Sequence, residues 1–175
     1  WVEDFPDIPL NRNEAYKLRV TSKGVEIEAI TETGVYRAIQ TLRQLTEKKG
    51  NGIAITGCEI TDWPAFRIRG FMQDVGRTYI STDELKREIA ILARYKINVF
   101  HWHLTENQAW RLQSKVFPML NDSVNTTRQP GKYYTLEEAR ELAAFCKQLH
   151  VLLIPEIDMP GHSAAFVRTF RHDMQ

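Results

Sequence analysis

Three short stretches of this 175-residue chain gather side chains that can move protons, grip polar ligands or bind metals. Asp74 and Arg77 end the first, His101, His103 and Glu106 fall in the second, and Glu156, Asp158 and His162 lie in the third. Carboxylates and imidazoles grouped in this way suit general acid–base work, since each holds or releases a proton at a defined point. Arginine adds a planar fork of donors that stays charged. A His-x-His pair also suits metal ligation, so His101 and His103, with Asp158 and His162 nearby, make an alternative zinc-type set. Each residue has a plainer reading as well. His101 fits a hydrogen-bonded packing role, and Glu156 fits a brace for Arg69 or a neighbouring loop. Desolvating so many ionisable groups together is costly unless they are paired or used, which favours a site over a structural ion network.

The elements that must position these residues read as strands alternating with helices. Strands are expected at Ile68 to Val75, Asn98 to Leu104 and Val151 to Ile157. Ser81-Thr82-Asp83-Glu84 opens a helix with Leu85, Ile89, Leu92 and Lys96 on one face, and Thr135-Leu136-Glu137-Glu138 is a capping box opening another. A third helix begins at Ser163, and a polar loop spans about Ser114 to Tyr133. Continuous apolar strands separated by helices indicate parallel βα units. Side chains alternate across a strand, so Phe100, Trp102 and Leu104 face the helices while His101 and His103 face the other side. Active sites of such folds lie at the carboxyl ends of the strands, where Asp74, Arg77, His103, Glu106, Glu156, Asp158 and His162 converge on one rim.

The first 64 residues have another rhythm. Tyr16, Leu18 and Val20, then Val25, Ile27 and Ala29, alternate around Ser22-Lys23-Gly24 as a hairpin. Gly34 to Lys48 reads as an amphipathic helix with Tyr36, Ile39, Leu42 and Leu45 on its apolar face, closed by Lys48-Lys49-Gly50. Ile53, Ile55 and the Cys58 to Ile60 stretch then supply another short strand before Asp62-Trp63-Pro64. The expected division is therefore 1–64, part of a small α+β domain, and 65–175, the beginning of a larger α/β domain.

Composition narrows the function classes. With 23 basic and 22 acidic residues the formal net charge is +1, too weak a field for general nucleic-acid binding. Apolar runs such as Val151-Leu152-Leu153-Ile154 fall far short of the roughly 20 residues that cross a bilayer. Cys58 and Cys146, far apart in apolar segments, are expected to be buried free thiols. The opening WVEDFPDIP has no basic or apolar targeting pattern, so any leader is expected to have been removed or to lie outside the chain.

Three ordered motifs then carry a specific resemblance. Arg69 to Arg77 (RGFMQDVGR), Asn98 to Arg111 (NVFHWHLTENQAWR) and Ile154 to His162 (IPEIDMPGH) resemble glycoside hydrolase family 20, the β-N-acetylhexosaminidases. Residues 14–62, with GVYRAIQTLRQL, are similar to the small domain that precedes the catalytic barrel there. The resemblance implies the first three βα units of a (β/α)8 TIM barrel. It also implies a retaining, exo-acting hydrolase of terminal N-acetylhexosamine residues, working without a metal or other cofactor by substrate-assisted catalysis. By the same resemblance Arg77 grips sugar hydroxyls, and His162, with an acidic residue of the second motif, positions the general acid. Glu106 and Asn107 are the supporting candidates there; Asp74, His103, Glu156, Asp158 and Trp110 are candidate substrate contacts.

Two departures accompany this resemblance. The family usually has two acidic residues after HWHLT, whereas Glu106 is followed by Asn107. If His162 takes its carboxylate from the second position, Asn107 can orient the ring but supplies no charge. The family's catalytic Asp-Glu pair follows a later strand, and the only Asp-Glu here is Asp83-Glu84 at a helix start. The 175 residues are therefore expected to hold the sugar-gripping half of a site without its acid, and to be inactive alone. Glycans are the expected partners, with self-association through an uncovered half-barrel face. The expected compartment is extracytoplasmic: periplasmic, secreted or lysosome-like. A metal-dependent barrel hydrolase and a non-catalytic carbohydrate-contacting piece remain as alternatives.

Overall fold

The computed structural model describes residues 1–171. They form two compact units, one of residues 1–69 with 94–96 and one of residues 70–93 with 97 onward.

The first unit is a three-stranded antiparallel sheet with one helix. β1 (Tyr16–Thr21) lies between β2 (Gly24–Ala29) and β5 (Cys58–Asp62). Strict alternation on β1 buries Tyr16, Leu18 and Val20 and turns Lys17, Arg19 and Thr21 outward. α1 (Glu32–Gln44) starts at Thr31, whose side chain accepts from the Gly34 amide, as an N-cap should. Its fully buried positions are Gly34, Arg37, Ala38 and Gln40; of the expected apolar face Leu42 and Leu45 pack against the core, while Ile39 is exposed. Gly34 is required sterically: a Cβ there would stand 2.5 Å from the Ala15 carbonyl oxygen and 2.9 Å from Ala29 Cβ. The helix thus approaches the sheet more closely than an Ile-lined face permits. It also stops earlier than expected. Glu47–Lys49 is a strand, β3, paired with β4 (Gly52–Ala54) around Gly50 at φ 61°, a left-handed conformation that glycine tolerates.

Charge within this unit is paired. Glu14, largely buried, meets Arg37 Nε at 2.8 Å and Arg69 Nη2 at 2.5 Å. Burial alone would raise its pKa, but hydrogen bonds from Arg69 and Arg37 outweigh that and hold it below the ordinary carboxylate range. Arg69 is therefore paired with Glu14. Cys146 is buried in the second unit and its thiol is pushed up to about 11 by burial, whereas Cys58 is only half-buried, contrary to expectation; both are free.

The second unit is built on three parallel strands in sequence order, β6 (Gly70–Asp74), β7 (Val99–His103) and β8 (Leu152–Glu156). α2 (Thr82–Arg94) connects β6 to β7, and α3 (Leu136–Gln148) connects β7 to β8; α4 (Ala164–Thr169) follows. Central β7 buries Phe100 and Trp102, and Leu104 just beyond it, while α2 buries Leu85, Ile89 and Ala93 at helical spacing. Tyr134 packs on Trp102 with centroids 4.7 Å apart and donates its hydroxyl to the Ile80 carbonyl at 2.6 Å. On the other face of the sheet Met72, Leu152 and Ile154 are exposed. The loop after β7 is more ordered than its composition implies, with 3₁₀ turns at Pro118–Asn121 and Ser123–Asn125.

Gly34→Ala should lower the stability of the first unit by about 1–3 kcal/mol, the usual cost of forcing atoms into a packed contact. Chemical denaturation measures this, and unchanged stability would show that α1 and the sheet separate freely.

Candidate functional site

Parallel register aligns the ends of the three strands. Asp74 pairs with His103, and His103 with Glu156, so one titratable residue from each strand forms a single row. The candidate site is built on and just beyond this row.

Arg77 lies three residues past Asp74. Asp74 Oδ1 accepts the Arg77 amide at 3.0 Å, which folds the loop back, and Oδ2 meets Nη1 at 2.5 Å. The other arm of the guanidinium reaches Glu106, Nη2 to Oε1 at 2.5 Å. Glu106 is 1% exposed, an extreme burial for a carboxylate, whereas Arg77 is half exposed. His162 Nδ1 also contacts Glu106 Oε1, and Arg77 Nη2 stands 3.3 Å from that nitrogen. The second oxygen of Glu106 accepts the Asn107 amide. One buried carboxylate is thereby held by a guanidinium, an imidazole and a backbone donor, as a desolvated charge requires.

The carboxylate that meets His162 is therefore Glu106, and the ring keeps an acidic neighbour although Asn107 follows. Asn107 instead accepts the Ala164 amide at 3.2 Å through its side chain and offers its carbonyl to Arg168 at 2.7 Å. It ties the second motif to the start of α4.

Below this group, Glu156 lies between two imidazoles. His101 Nε2 stands 2.5 Å from Oε2 and His103 Nδ1 stands 3.0 Å from Oε1, within ion-pairing distance. Neither contact is angled as a hydrogen bond, and both ring nitrogens of His103 lack a hydrogen-bond partner among the described residues. The His103 ring meets His162 edge-on at 5.8 Å, linking this pair to the Arg77 group. Asp158 is placed by its amide, which donates to Thr105 Oγ1 at 2.9 Å. Trp110 goes elsewhere: its indole N–H serves the Leu112 carbonyl at 2.7 Å, and its ring packs 6.1 Å from Phe166. Glu84 of the Asp83-Glu84 pair caps α2, accepting from the Ser81 hydroxyl at 2.6 Å and from its amide at 3.0 Å.

Two supporting residues escape a reading of motif chemistry. Gly76 permits the close approach of Arg77 and Glu106, since a Cβ there would stand 2.8 Å from Glu106 Cβ. Arg111 is fully buried and donates to five carbonyls, those of Val75, Gly76, Arg128, Gln129 and Lys132. It joins the loop before Arg77 to the segment around residue 130. Its place inside the second motif, on an otherwise apolar stretch, is the only signal the sequence offers.

Polar side chains gathered at the carboxyl ends of parallel βα strands stand where α/β folds place their sites. The profile described as "Glycosyl hydrolase family 20, catalytic domain" matches residues 66–174, and that described as "Glycosyl hydrolase family 20, domain 2" matches residues 6–63. The chain belongs to glycosyl hydrolase family 20. A beta-hexosaminidase of Porphyromonas gingivalis is 39% identical over 93% of this chain and 22% of its own length; one of Vibrio furnissii is 38% identical over 88% and 28%. Among solved structures, a GH20 exo beta-N-acetylglucosaminidase of Vibrio harveyi in complex with N-acetylglucosamine superposes with a TM-score of 0.84 at 36% identity, over 91% of this chain and 27% of that one. The beta-N-acetylhexosaminidase of Bacteroides fragilis gives 0.84 at 35% identity, over 91% and 34%. The chain thus spans about a quarter of the length of the curated relatives it matches. No helix among the described residues is long and apolar enough to cross a membrane.

Arg111→Met should destabilise the second unit by about 3 kcal/mol or more, because five carbonyls, two of them in buried hydrogen bonds, lose their donor. Hydrogen exchange should quicken at residues 75–77 and around 130. Exchange and stability like those of the native chain would remove Arg111 from this role.

Proposed function

We propose that the chain is the sugar-gripping part of an exo-β-N-acetylhexosaminidase that cleaves terminal N-acetylhexosamine residues from glycans with retention of configuration. The observation that carries this reading is the Arg77–Glu106–His162 group standing on the aligned strand ends. Half-exposed Arg77, with its two arms fixed by Asp74 and Glu106, offers pre-oriented donors to vicinal hydroxyls, and fixing it beforehand lowers the ordering cost of binding. Glu106 fixes the His162 ring, which in turn positions the proton donor. His103, Glu156 and Asp158 form the floor, and Trp110 serves by packing. Domain boundaries at 1–64 and 65–175 accompany this reading.

Chemistry of this class uses the substrate's own 2-acetamido oxygen. That oxygen bonds to the anomeric carbon as the bond to the leaving oxygen breaks, while an enzyme carboxylic acid protonates the leaving group. Water then adds to the oxazolinium intermediate, restoring the acetamido group with net retention. The proton donor is assigned to an Asp-Glu pair outside residues 1–175, since Asp83-Glu84 stands at the start of α2, where Glu84 is occupied in capping it. An extracytoplasmic setting suits a glycan-trimming enzyme, and the exposed Met72, Leu152 and Ile154 offer a surface for self-association.

With a chromogenic N-acetylglucosaminide, residues 1–175 alone should give no turnover and the full-length protein should give measurable hydrolysis. Turnover by the 175 residues would place the acid within them. In the active protein, Arg77→Ala should reduce kcat/KM by a factor of about 100 or more, equivalent to a few kcal/mol of transition-state stabilisation. An unchanged kcat/KM would remove the arginine from sugar binding.

A further inference from the structure

We propose that Gln129 is a positioning residue for Arg77, acting through the backbone of the loop that carries the arginine; the inference rests on the sugar-gripping role given to Arg77 above. Gln129 Oε1 accepts the Tyr79 amide at 2.6 Å, a contact that spans 50 residues of sequence. Only the oxygen of a carboxamide can accept, so the bond itself fixes which way the side chain is turned.

Before Arg77 the loop is held at every step. The Val75 and Gly76 amides donate to the His103 carbonyl at 3.1 and 3.2 Å, their carbonyls accept from Arg111, and the Arg77 amide meets Asp74. Beyond it the ties are fewer. The Tyr79 ring stacks on Tyr134 with centroids 4.8 Å apart, and the Ile80 carbonyl accepts the Tyr134 hydroxyl. Among the described residues, the Gln129 bond is the main-chain tie nearest to Arg77 on this side.

Gln129 is itself offered from a fixed base. Arg111 donates to the carbonyls of Arg128, Gln129 and Lys132, and the Thr127 amide donates to the Gln108 carbonyl at 2.8 Å. The Gln129 backbone lies at φ 53°, in the left-handed region that a non-glycine residue enters only at an energetic cost. Such a conformation persists where surrounding contacts impose it. Here they bring a side chain from the loop before α3 onto the amide of the loop before α2.

The bond is exposed, so water competes for both ends and its contribution is to the order of the Arg77 loop more than to the stability of the unit. An arginine whose loop is already ordered loses less freedom when a sugar binds. That difference is the same in the bound ground state and the transition state, so it falls on KM and not on kcat.

The test uses the full-length protein and a chromogenic N-acetylglucosaminide. Gln129→Ala should raise KM about fivefold, the net contribution of one neutral hydrogen bond, with kcat within a factor of about two. Gln129→Glu keeps an acceptor of similar reach and should hold KM within about twofold of native. In an Arg77→Ala background Gln129→Ala should add nothing, because the two act as one unit. Hydrogen exchange gives a readout free of catalysis: the Tyr79 amide should exchange about fivefold faster in Gln129→Ala and near the native rate in Gln129→Glu. Native KM or native Tyr79 exchange in Gln129→Ala, failure of glutamate to rescue, or an undiminished rise in KM without the arginine would overturn the role. Native kcat/KM in Arg77→Ala would overturn the reading of Arg77 and this inference with it, whereas a defective Arg77→Ala beside a native Gln129→Ala sinks this inference alone.

Discussion

The burial of the Glu106 carboxylate is the constraint around which the second unit is arranged. An ionised carboxyl group taken out of water demands compensation from every side, and here the donors come from three different segments of chain. Arg77 arrives from the loop after β6, His162 from the loop after β8, and the Asn107 amide from the turn beside Glu106 itself. Removing any donor leaves a charge uncompensated in a dry place. The loops are consequently coupled: the position of the arginine depends on the carboxylate, and so does the orientation of the imidazole. A binding rim assembled this way is ordered before a ligand arrives.

The βα framework makes that convergence possible. Parallel register places Asp74, His103 and Glu156 side by side, and each strand then releases its chain into a loop from the same edge of the sheet. Gly76 removes the one side chain that would hold Arg77 and Glu106 apart, and Arg111 anchors the same loop through carbonyls that would otherwise lack donors. Both act on geometry, not chemistry. That division explains why chemistry-bearing residues are conspicuous in the motifs while their supports are not.

Two kinds of chemistry meet at these strand ends. The upper group of Arg77, Glu106 and His162 is tied by mutual contacts and presents the half-exposed guanidinium and imidazole outward around a buried carboxylate. The row beneath is unsaturated: His103 is buried without hydrogen bonds beside two carboxylates.

Much of this was legible from the order of residues alone. Alternation along 98–104 placed His101 and His103 opposite Phe100 and Trp102 because the pleat has a period of two, whatever the strand's neighbours. Capping residues marked the starts of α2 and α3, since the bonds they make are local. Features set by non-local packing were not legible. The buried face of α1 follows Gly34 and Ala38, not Ile39, because the nearness of β1 and β2 rewards small residues over apolar ones. Likewise, the motifs supplied two polar residues after His103, but only the folded loops decide that Glu106 meets His162 and that Asn107 turns to α4. The sequence by itself determined which side chains stand on which face and at which strand end, because backbone periodicity and caps are local. Tertiary structure alone decided which of them pair, because pairing depends on distances across segments that sequence spacing does not set.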